Sequence, residues 1–196
     1  MQTSTLIIVI ALLTVAGFFL GRQRSFAVAR RSGGVKQLHS LPGYYGMLTA
    51  LWCGVPALIL AGLWVAFEPT IITQLVVDRL PPEVTGLSEA RLGLVVNDIR
   101  NLVSGNIVSG EVEPFMREAA DHYLHLKGIS SAAMTVVVLS LAIAGAGFTL
   151  KVISPELRAR NRVELIIKIF LIISSTIAIF TTVGIVLSVL FESLRF

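Results

Sequence analysis

The chain has little charge, a single cysteine and none of the residue patterns typical of catalysis. Lys, Arg, Asp and Glu make up 14% of its 196 residues, whereas soluble domains carry about 25%. The lone Cys53 excludes a disulfide within the chain and any zinc site built from cysteine pairs, and we expect it to pack as a small apolar residue. There is no Walker A motif and no Ser/His/Asp or Cys/His arrangement. We therefore expect no enzyme, no catalytic residue and no bound cofactor.

Four long apolar runs stand out instead, at residues 3–20, 44–67, 129–150 and 165–190. Each is near or above the roughly 18–20 residues that an α-helix needs to cross hydrocarbon. We therefore predict an all-α integral membrane protein with four transmembrane helices. A small helical extracytoplasmic segment, residues 68–128, would lie between the second and third. No ionisable residue sits at the middle of a run, which argues against a self-contained ion pump.

Basic residues are concentrated in two of the three connections. Residues 21–43 contain five bases and no acid, and residues 151–164 contain four bases and two acids. The middle segment, 68–128, has nine acids and five bases. Because loops rich in Lys and Arg stay cytoplasmic, we predict that 21–43 and 151–164 are cytoplasmic and that both termini are periplasmic. The N-terminus lacks a basic region and a small-residue cleavage site, so the first run is expected to be an uncleaved span.

The basic loops allow two interpretations. They can act as topology anchors that contact anionic lipid, or as docking surfaces for a cytoplasmic partner. Nucleic-acid binding is not expected, because the first loop has one aromatic residue, Phe26, and no recognisable binding module.

The middle segment carries helix start and stop signals. Pro81 and Pro82 end the stretch that leaves the second run, Ser88 is a good N-cap, and Gly105 can close the next helix in the left-handed conformation. Pro114 suits the first position of another helix. Apolar residues at spacings of three and four predict a packed face on each helix. They are Leu92, Val95, Val96, Ile99, Leu102 and Val103, then Phe115, Ala119, Tyr123 and Leu126.

Asp121, His122 and His125 form the one cluster that resembles a metal site. Histidines at i and i+3 can share a helix face, but zinc needs three or four ligands. The remaining histidine, His39, lies in the first loop, on the opposite side of the membrane in the predicted topology. We therefore expect a solvated helix face here and predict no metal site.

Small residues in the last two runs provide surfaces for close helix packing. The third run contains them at residues 142–147, and the fourth carries Ser174, Ala178 and Thr181 along one face. Such faces pack within one bundle or contact another membrane subunit, and the sequence leaves both possibilities open.

The connection between these two runs contains the triplet Ser154-Pro155-Glu156. An N-cap residue, a proline at the first position and an acid in the first turn are typical of a helix start. We predict a basic helix that begins there, lies in the membrane interface and turns into the fourth span. It could dock a partner or simply anchor the chain.

Several stretches resemble a known transporter family. Residues 39–46 (HSLPGYYG), entering a span with Trp and Pro, resemble the extended N-terminal region of certain bacterial PstC-type phosphate transporter permeases. Residues 158–164 (RARNRVE), followed by 181–186 (TTVGIV) and 191–192 (FE), are similar to the beginning of the permease core. The resemblance covers essentially the whole chain in the right order.

The resemblance implies a membrane permease subunit of an ATP-binding-cassette importer for inorganic phosphate, in the bacterial inner membrane. Its partners would be a second permease subunit, cytoplasmic ATPase subunits and a periplasmic phosphate-binding protein. ATP chemistry would belong to the ATPases. Residues 1–152 would form an accessory region, and residues 153–196 would begin the permease core.

The chain departs from this family in its extent. Such permeases continue through further core helices and a coupling helix with a Glu-Ala-Ala-type motif, and neither occurs before Phe196. We expect a truncated permease or a separately encoded module, and substrate-binding residues, unknown here, would lie beyond residue 196. The rival interpretation is a stand-alone four-span sensor or interaction protein with a small periplasmic binding segment. Against it, the first loop of about 23 residues offers no cytoplasmic domain.

Overall fold

The computed structural model describes residues 2–105 and 112–195, and it is 87% helical with no β-strand in those ranges. The helices are α1 Thr3–Arg31, α2 Pro42–Val77, α3 Pro82–Thr85, α4 Glu89–Ser104, α5 Pro114–Val152 and α6 Ala159–Arg195. A short 3-10 helix, Val35–Gln37, lies between α1 and α2. The predicted all-α class is confirmed. Residues 106–111 of the predicted external segment and the terminal Phe196 lie outside the described residues.

Four of the helices are long and apolar enough to cross a membrane. Helices α1, α2, α5 and α6 have 29, 36, 39 and 37 residues, and each contains an 18-residue window of mean hydropathy between 2.0 and 2.4. The four predicted membrane helices are therefore present, and each extends beyond its apolar run. The predicted first loop is helical as far as Arg31, because no proline or glycine interrupts its good helix formers between Arg22 and that point.

The helix boundaries in the middle of the chain follow the local signals. Ser88 precedes α4 with extended backbone angles, although its side chain makes no capping hydrogen bond, and Gly105 ends α4 with a left-handed φ of 73°. Pro114 is the first residue of α5. The helix predicted to start there and the third span form one continuous helix. Gly128 lies between them, and a single glycine costs only about 1 kcal/mol relative to alanine.

The described chain divides into two compact units. The first comprises α1 as far as Leu13 together with Cys53–Ala144. Within it, the end of α2 packs with α4 and the beginning of α5 around a small apolar core. The buried members of this core are Ile72, Val76, Leu80, Ile99, Met116, Ala119 and Ala120. The predicted apolar faces of α4 and α5 therefore pack together, and the described part of the segment between the second and third spans contains α3, α4 and the beginning of α5.

The membrane helices of the first unit bury residues at helical spacings. The buried positions are Leu6 and Ile10 on α1, Cys53, Ala57 and Ala61 on α2, and Met134, Val138 and Ala142 on α5. Several of them are small, as expected where helix backbones approach closely without water to drive association. Cys53 is 2% exposed, in agreement with its prediction as a small buried residue.

In the second unit, Thr14–Trp52 and the chain from Gly145 onwards, two glycines bring α1 and α2 close together. A Cβ atom on Gly46 would lie 2.6 Å from the carbonyl oxygen of Phe18. A Cβ atom on Gly21 would lie 2.8 Å from the carbonyl oxygen of Tyr45 and would overlap the Thr49 side chain. Any larger residue at either position has to push backbone aside.

Gly46→Leu is therefore expected to destabilise the protein by about 1–3 kcal/mol, the usual range for overpacking. The matched control is Gly62→Leu on the same helix, where an added Cβ meets nothing within 4 Å. The measurement is the thermal unfolding midpoint of the detergent-solubilised protein. Equal midpoints for the two variants would contradict the close contact between α1 and α2.

Candidate functional site: the elbow and the exposed sixth helix

The connection between α5 and α6, residues 153–158, is a turn that we call the elbow. The prediction of a helix starting at Ser154 is wrong, because Pro155 and Glu156 lie in a turn and α6 begins at Ala159. The physical reason is that the backbone groups needed for the first helical turn form hydrogen bonds with other partners. The carbonyl oxygen of Pro155 accepts a hydrogen bond from the amide of His39 (2.9 Å), and the amide of Ala159 bonds to Leu157 instead (2.8 Å). A long-range contact has replaced the local helical turn.

Two further hydrogen bonds join the elbow and the start of α6 to the first turn of α2 and to Ser40 just before it. The hydroxyl of Tyr45 donates to the carbonyl oxygen of Leu157 (3.1 Å). The amide of Arg160, the second residue of α6, donates to the hydroxyl oxygen of Ser40 (3.2 Å). Ser40 thus caps the N-terminus of α6, although it lies 120 residues from Arg160 in sequence.

An apolar cluster surrounds these hydrogen bonds. Its buried members are Ala29, Leu38, Tyr45, Leu48, Ile153, Leu157, Ala159 and Val163. Tyr45 has no exposed surface, so its hydroxyl and the carbonyl that it contacts are both shielded from water. Together the hydrogen bonds and the cluster hold the first two turns of α6 in place.

Charged side chains line the surface of the elbow. Lys36 and His39 from the first loop and Glu156 and Arg158 from the third connection border one cavity of about 600 Å³. The two basic loops therefore lie beside each other, as required if both are on the same side of the membrane. The sequence showed two separate basic loops, and nothing in their spacing indicated a shared cavity.

Arg160 has two partners at the start of α6. Its Nε atom is 2.6 Å from Oε1 of Glu164, and its guanidinium group lies 6.0 Å from the ring centre of Tyr44. The Glu164 carboxylate accepts this hydrogen bond, and the bond together with the negative charge of Glu164 raises the pKa of Arg160 above its ordinary value. Because both side chains of this pair are more than half exposed, the pair adds little stability.

Beyond its first two turns, α6 has almost no contact with the rest of the described chain. Every residue from Ile167 to Arg195 is exposed, and none of the most apolar 18-residue window of α6 is buried, against 22% for each of the other three membrane helices. Ser174, Ala178 and Thr181 are among the exposed residues. The small-residue face of α6 is thus uncovered, whereas Ala142 of the third span is fully buried.

Three threonine hydroxyl groups on α6 are bonded to the helix itself. Thr176, Thr181 and Thr182 donate to the carbonyl oxygens four residues earlier, at distances of 2.8 to 2.9 Å. These side chains therefore present methyl groups and small contours outwards, and they need no external polar partner. Such a surface suits contact with another helix in lipid.

The predicted histidine cluster borders a separate cavity in the first unit. Asp121, His122 and His125 line about 540 Å³ together with Arg79 and Glu118, among others. Asp121 and His125 are exposed. Over residues 2–105 and 112–195, no three His, Cys, Asp or Glu side chains gather closely enough to hold a metal ion.

Comparison with known proteins gives one match. A family model described as "Phosphate ATP-binding cassette transporter" matches residues 7–181, which is most of the chain. Neither the curated proteins nor the solved structures gave a significant match. The matched residues include the elbow and the first half of α6.

Tyr45→Phe tests the elbow. Loss of the hydroxyl removes one of the two donors to the carbonyl oxygen of Leu157, which keeps the amide of Ala159, and we expect a loss of about 0.5–1.5 kcal/mol in unfolding free energy. Tyr44→Phe is the matched control, because the half-buried ring next to Arg160 is kept. Unfolding in detergent at increasing denaturant concentration measures both. If both variants lose equal stability, the Tyr45 hydrogen bond does not stabilise the elbow.

Proposed function

Because the chain belongs to the phosphate ATP-binding cassette transporter family, we propose that it is a permease component of an importer for inorganic phosphate. The observation that supports this role best is the exposed small-residue face of α6. A transporter family is not an enzyme family, and the chemistry that drives transport would belong to the ATPase subunits. In this proposal the chain supplies membrane helices that surround or support the path of the anion.

The face of α6 is proposed to contact another permease helix. In lipid there is no hydrophobic driving force between helices, so close packing of small residues provides much of their attraction. Ser174, Ala178 and Thr181 recur at intervals of four and three residues and line one face of α6. Its partner would be a core helix, whether from the same polypeptide or from a second permease subunit.

The elbow supports a boundary between an accessory region, 1–152, and a core region, 153–196. Two carbonyl groups of the elbow accept hydrogen bonds from residues of the accessory region, Pro155 from His39 and Leu157 from Tyr45, so these residues help to set the direction of α6. This is the arrangement expected if the accessory part serves as a scaffold for the first core helix. The boundary between the two regions is part of our proposal.

The remaining partners are proposed from charge and position. The cavity with Lys36 and Arg158 would face the cytoplasmic ATPase subunits or the anionic lipid beside them. The packed segment of α4 and the beginning of α5 would face the periplasmic phosphate-binding protein. Both assignments depend on the proposed orientation in the bacterial inner membrane, with the two basic connections in the cytoplasm.

Labelling of single cysteines tests this orientation. In a Cys53→Ala background, Ser104→Cys at the end of α4 should react with a membrane-impermeant maleimide in intact cells. Gln37→Cys, next to the elbow, should react only after the inner membrane is permeabilised. The reverse pattern would place the basic loops outside and would contradict the proposed roles of both surfaces.

Ala178→Phe tests the proposed assembly. The larger side chain should block close approach to the α6 face and reduce co-purification of the ATPase subunit and the second permease subunit at least tenfold, since 1.4 kcal/mol of lost contact already corresponds to that factor. Val183→Phe is the control, because it places the same side chain on the opposite face of α6. The measurement is mass spectrometry of the tagged protein isolated from native membranes.

Two results would contradict the assembly. If the unaltered chain recovers neither an ATP-binding-cassette ATPase nor another permease chain, the sensor or interaction protein becomes the better interpretation. If the two variants lose partners equally, the small-residue face is not the contact surface.

A further inference from the structure

A chain of hydrogen bonds links α2 and α5 in the first unit. Nε1 of Trp64 donates to Oγ of Ser130 (3.0 Å), and the Ser130 hydroxyl donates to Oε1 of Glu68 (2.5 Å). Trp64 and Glu68 are four residues apart and therefore lie on the same face of α2. The Ser130 hydroxyl therefore donates its proton to the carboxylate and accepts a hydrogen bond from the indole N–H. The hydrogen bonds fix the rotamers of both α2 side chains.

An apolar groove of about 490 Å³ runs beside this chain. All three hydrogen-bonded side chains contribute to its wall, and the rest of the lining is apolar. Leu60, Leu63, Phe67, Ile129 and Ala133 are among these apolar residues. The groove is apolar except for the polar atoms of Trp64, Glu68 and Ser130, which lie together.

A second cavity, of about 560 Å³, shares Glu68 with the groove and adds polar side chains. Lys127 from α5 and Gln2, Thr3 and Ser131 line it. Glu68 therefore borders both an apolar space and a polar space that also contains a cation. An acid and a base where a polar cavity meets an apolar groove suit a ligand that has both charges on its head and an apolar tail.

The sequence places this arrangement at the membrane boundary. Glu68 directly follows the second apolar run, and Lys127 comes just before the third. Both therefore lie where hydrocarbon gives way to the headgroup region. Trp64 lies within one turn of the same boundary, the level at which tryptophan is enriched in membrane proteins.

We propose that this site binds a phospholipid whose headgroup carries a primary ammonium. The ammonium group bonds to the carboxylate of Glu68, the phosphate faces Lys127, and an acyl chain occupies the groove along Leu63 and Phe67. A carboxylate has about four acceptor positions, and the Ser130 hydroxyl uses one of them, so capacity remains for an ammonium donor.

The charges select this headgroup over the common alternatives. A choline headgroup has no N–H to donate to Glu68, and a headgroup with a net negative charge would place that charge beside the carboxylate. A helix from another protein could fill the groove, but that helix would have to carry a base opposite Glu68 and an acid opposite Lys127. The proposal is independent of transport.

Tryptophan fluorescence offers a direct test, because the chain has two tryptophans. In the full chain with Trp52→Phe, reconstituted in phosphatidylcholine, Trp64 is the remaining fluorophore and lines the groove. Phosphatidylethanolamine with brominated acyl chains should quench Trp64 at a mole fraction about tenfold lower than brominated phosphatidylcholine does, as expected for one charge-assisted hydrogen bond. In the Trp64→Phe protein, Trp52 is 41% exposed and should be quenched equally by both lipids.

The preference should depend on the charge of Glu68. Glu68→Gln keeps an acceptor for Ser130 and removes the charge, so Trp64 should then be quenched equally by the two lipids. Asp78→Asn, which removes an exposed acid just beyond α2, should leave the tenfold preference unchanged. Ala133→Phe should reduce quenching of Trp64 by both lipids, because the ring fills part of the groove.

Three outcomes would overturn the proposal. Equal quenching of Trp64 by the two lipids would show that the headgroup is not selected. A preference that survives Glu68→Gln would show that the carboxylate is not its origin. If neither lipid quenches Trp64, the groove is covered by protein, and the lipid assignment is wrong.

Discussion

Two carbonyl oxygens, those of Pro155 and Leu157, set the constraint on which the second unit depends. They lie where the chain leaves one membrane helix and enters another, and a turn at that point cannot satisfy its own backbone groups as a helix does. Buried backbone groups without partners are costly, most of all next to hydrocarbon. The amide of His39 supplies a donor to Pro155, and the hydroxyl of Tyr45 gives Leu157 a second donor beside the amide of Ala159. The chain can therefore turn sharply without leaving buried acceptors unpaired.

The same contacts decide where α6 begins and what holds it. Its second amide bonds to Ser40, and its first apolar residues, Ala159 and Val163, are buried in the cluster around Tyr45. From Ile167 to Arg195 no residue is buried. The hydrogen bond to Ser40 and the apolar cluster thus hold α6 at its N-terminal end. The rest of its described length is available for contact with other helices. The scaffold role that we propose for residues 1–152 requires this division.

The sequence was sufficient for features that depend on local composition. Four apolar runs predicted four membrane helices, and Gly105 and Pro114 marked helix ends correctly because backbone angles there are dictated by the residue type. The start at Ser154 was wrong because its three-residue signal was overruled by a bond from His39, more than 110 residues earlier. The glycine contacts of α1 with α2 and the bonding of Ser130 to Trp64 and Glu68 were missed for a related reason. Each joins residues whose sequence spacing carries no periodic signal.

Exposure alone is a weak argument for an interface in a membrane protein, because lipid can cover an apolar helix at no cost. The argument for α6 therefore rests on its surface chemistry. A helix meant only for lipid gains nothing from serine, alanine and threonine along one face, since large aliphatic side chains partition better into hydrocarbon. Small residues there allow backbones to approach, and the hydroxyl of Thr181 is already bonded within the helix, so this side chain needs no further polar partner on contact with a second helix. The uncovered face of α6 is thus better suited to protein than to lipid, which is the property expected of a helix that belongs to a larger permease core.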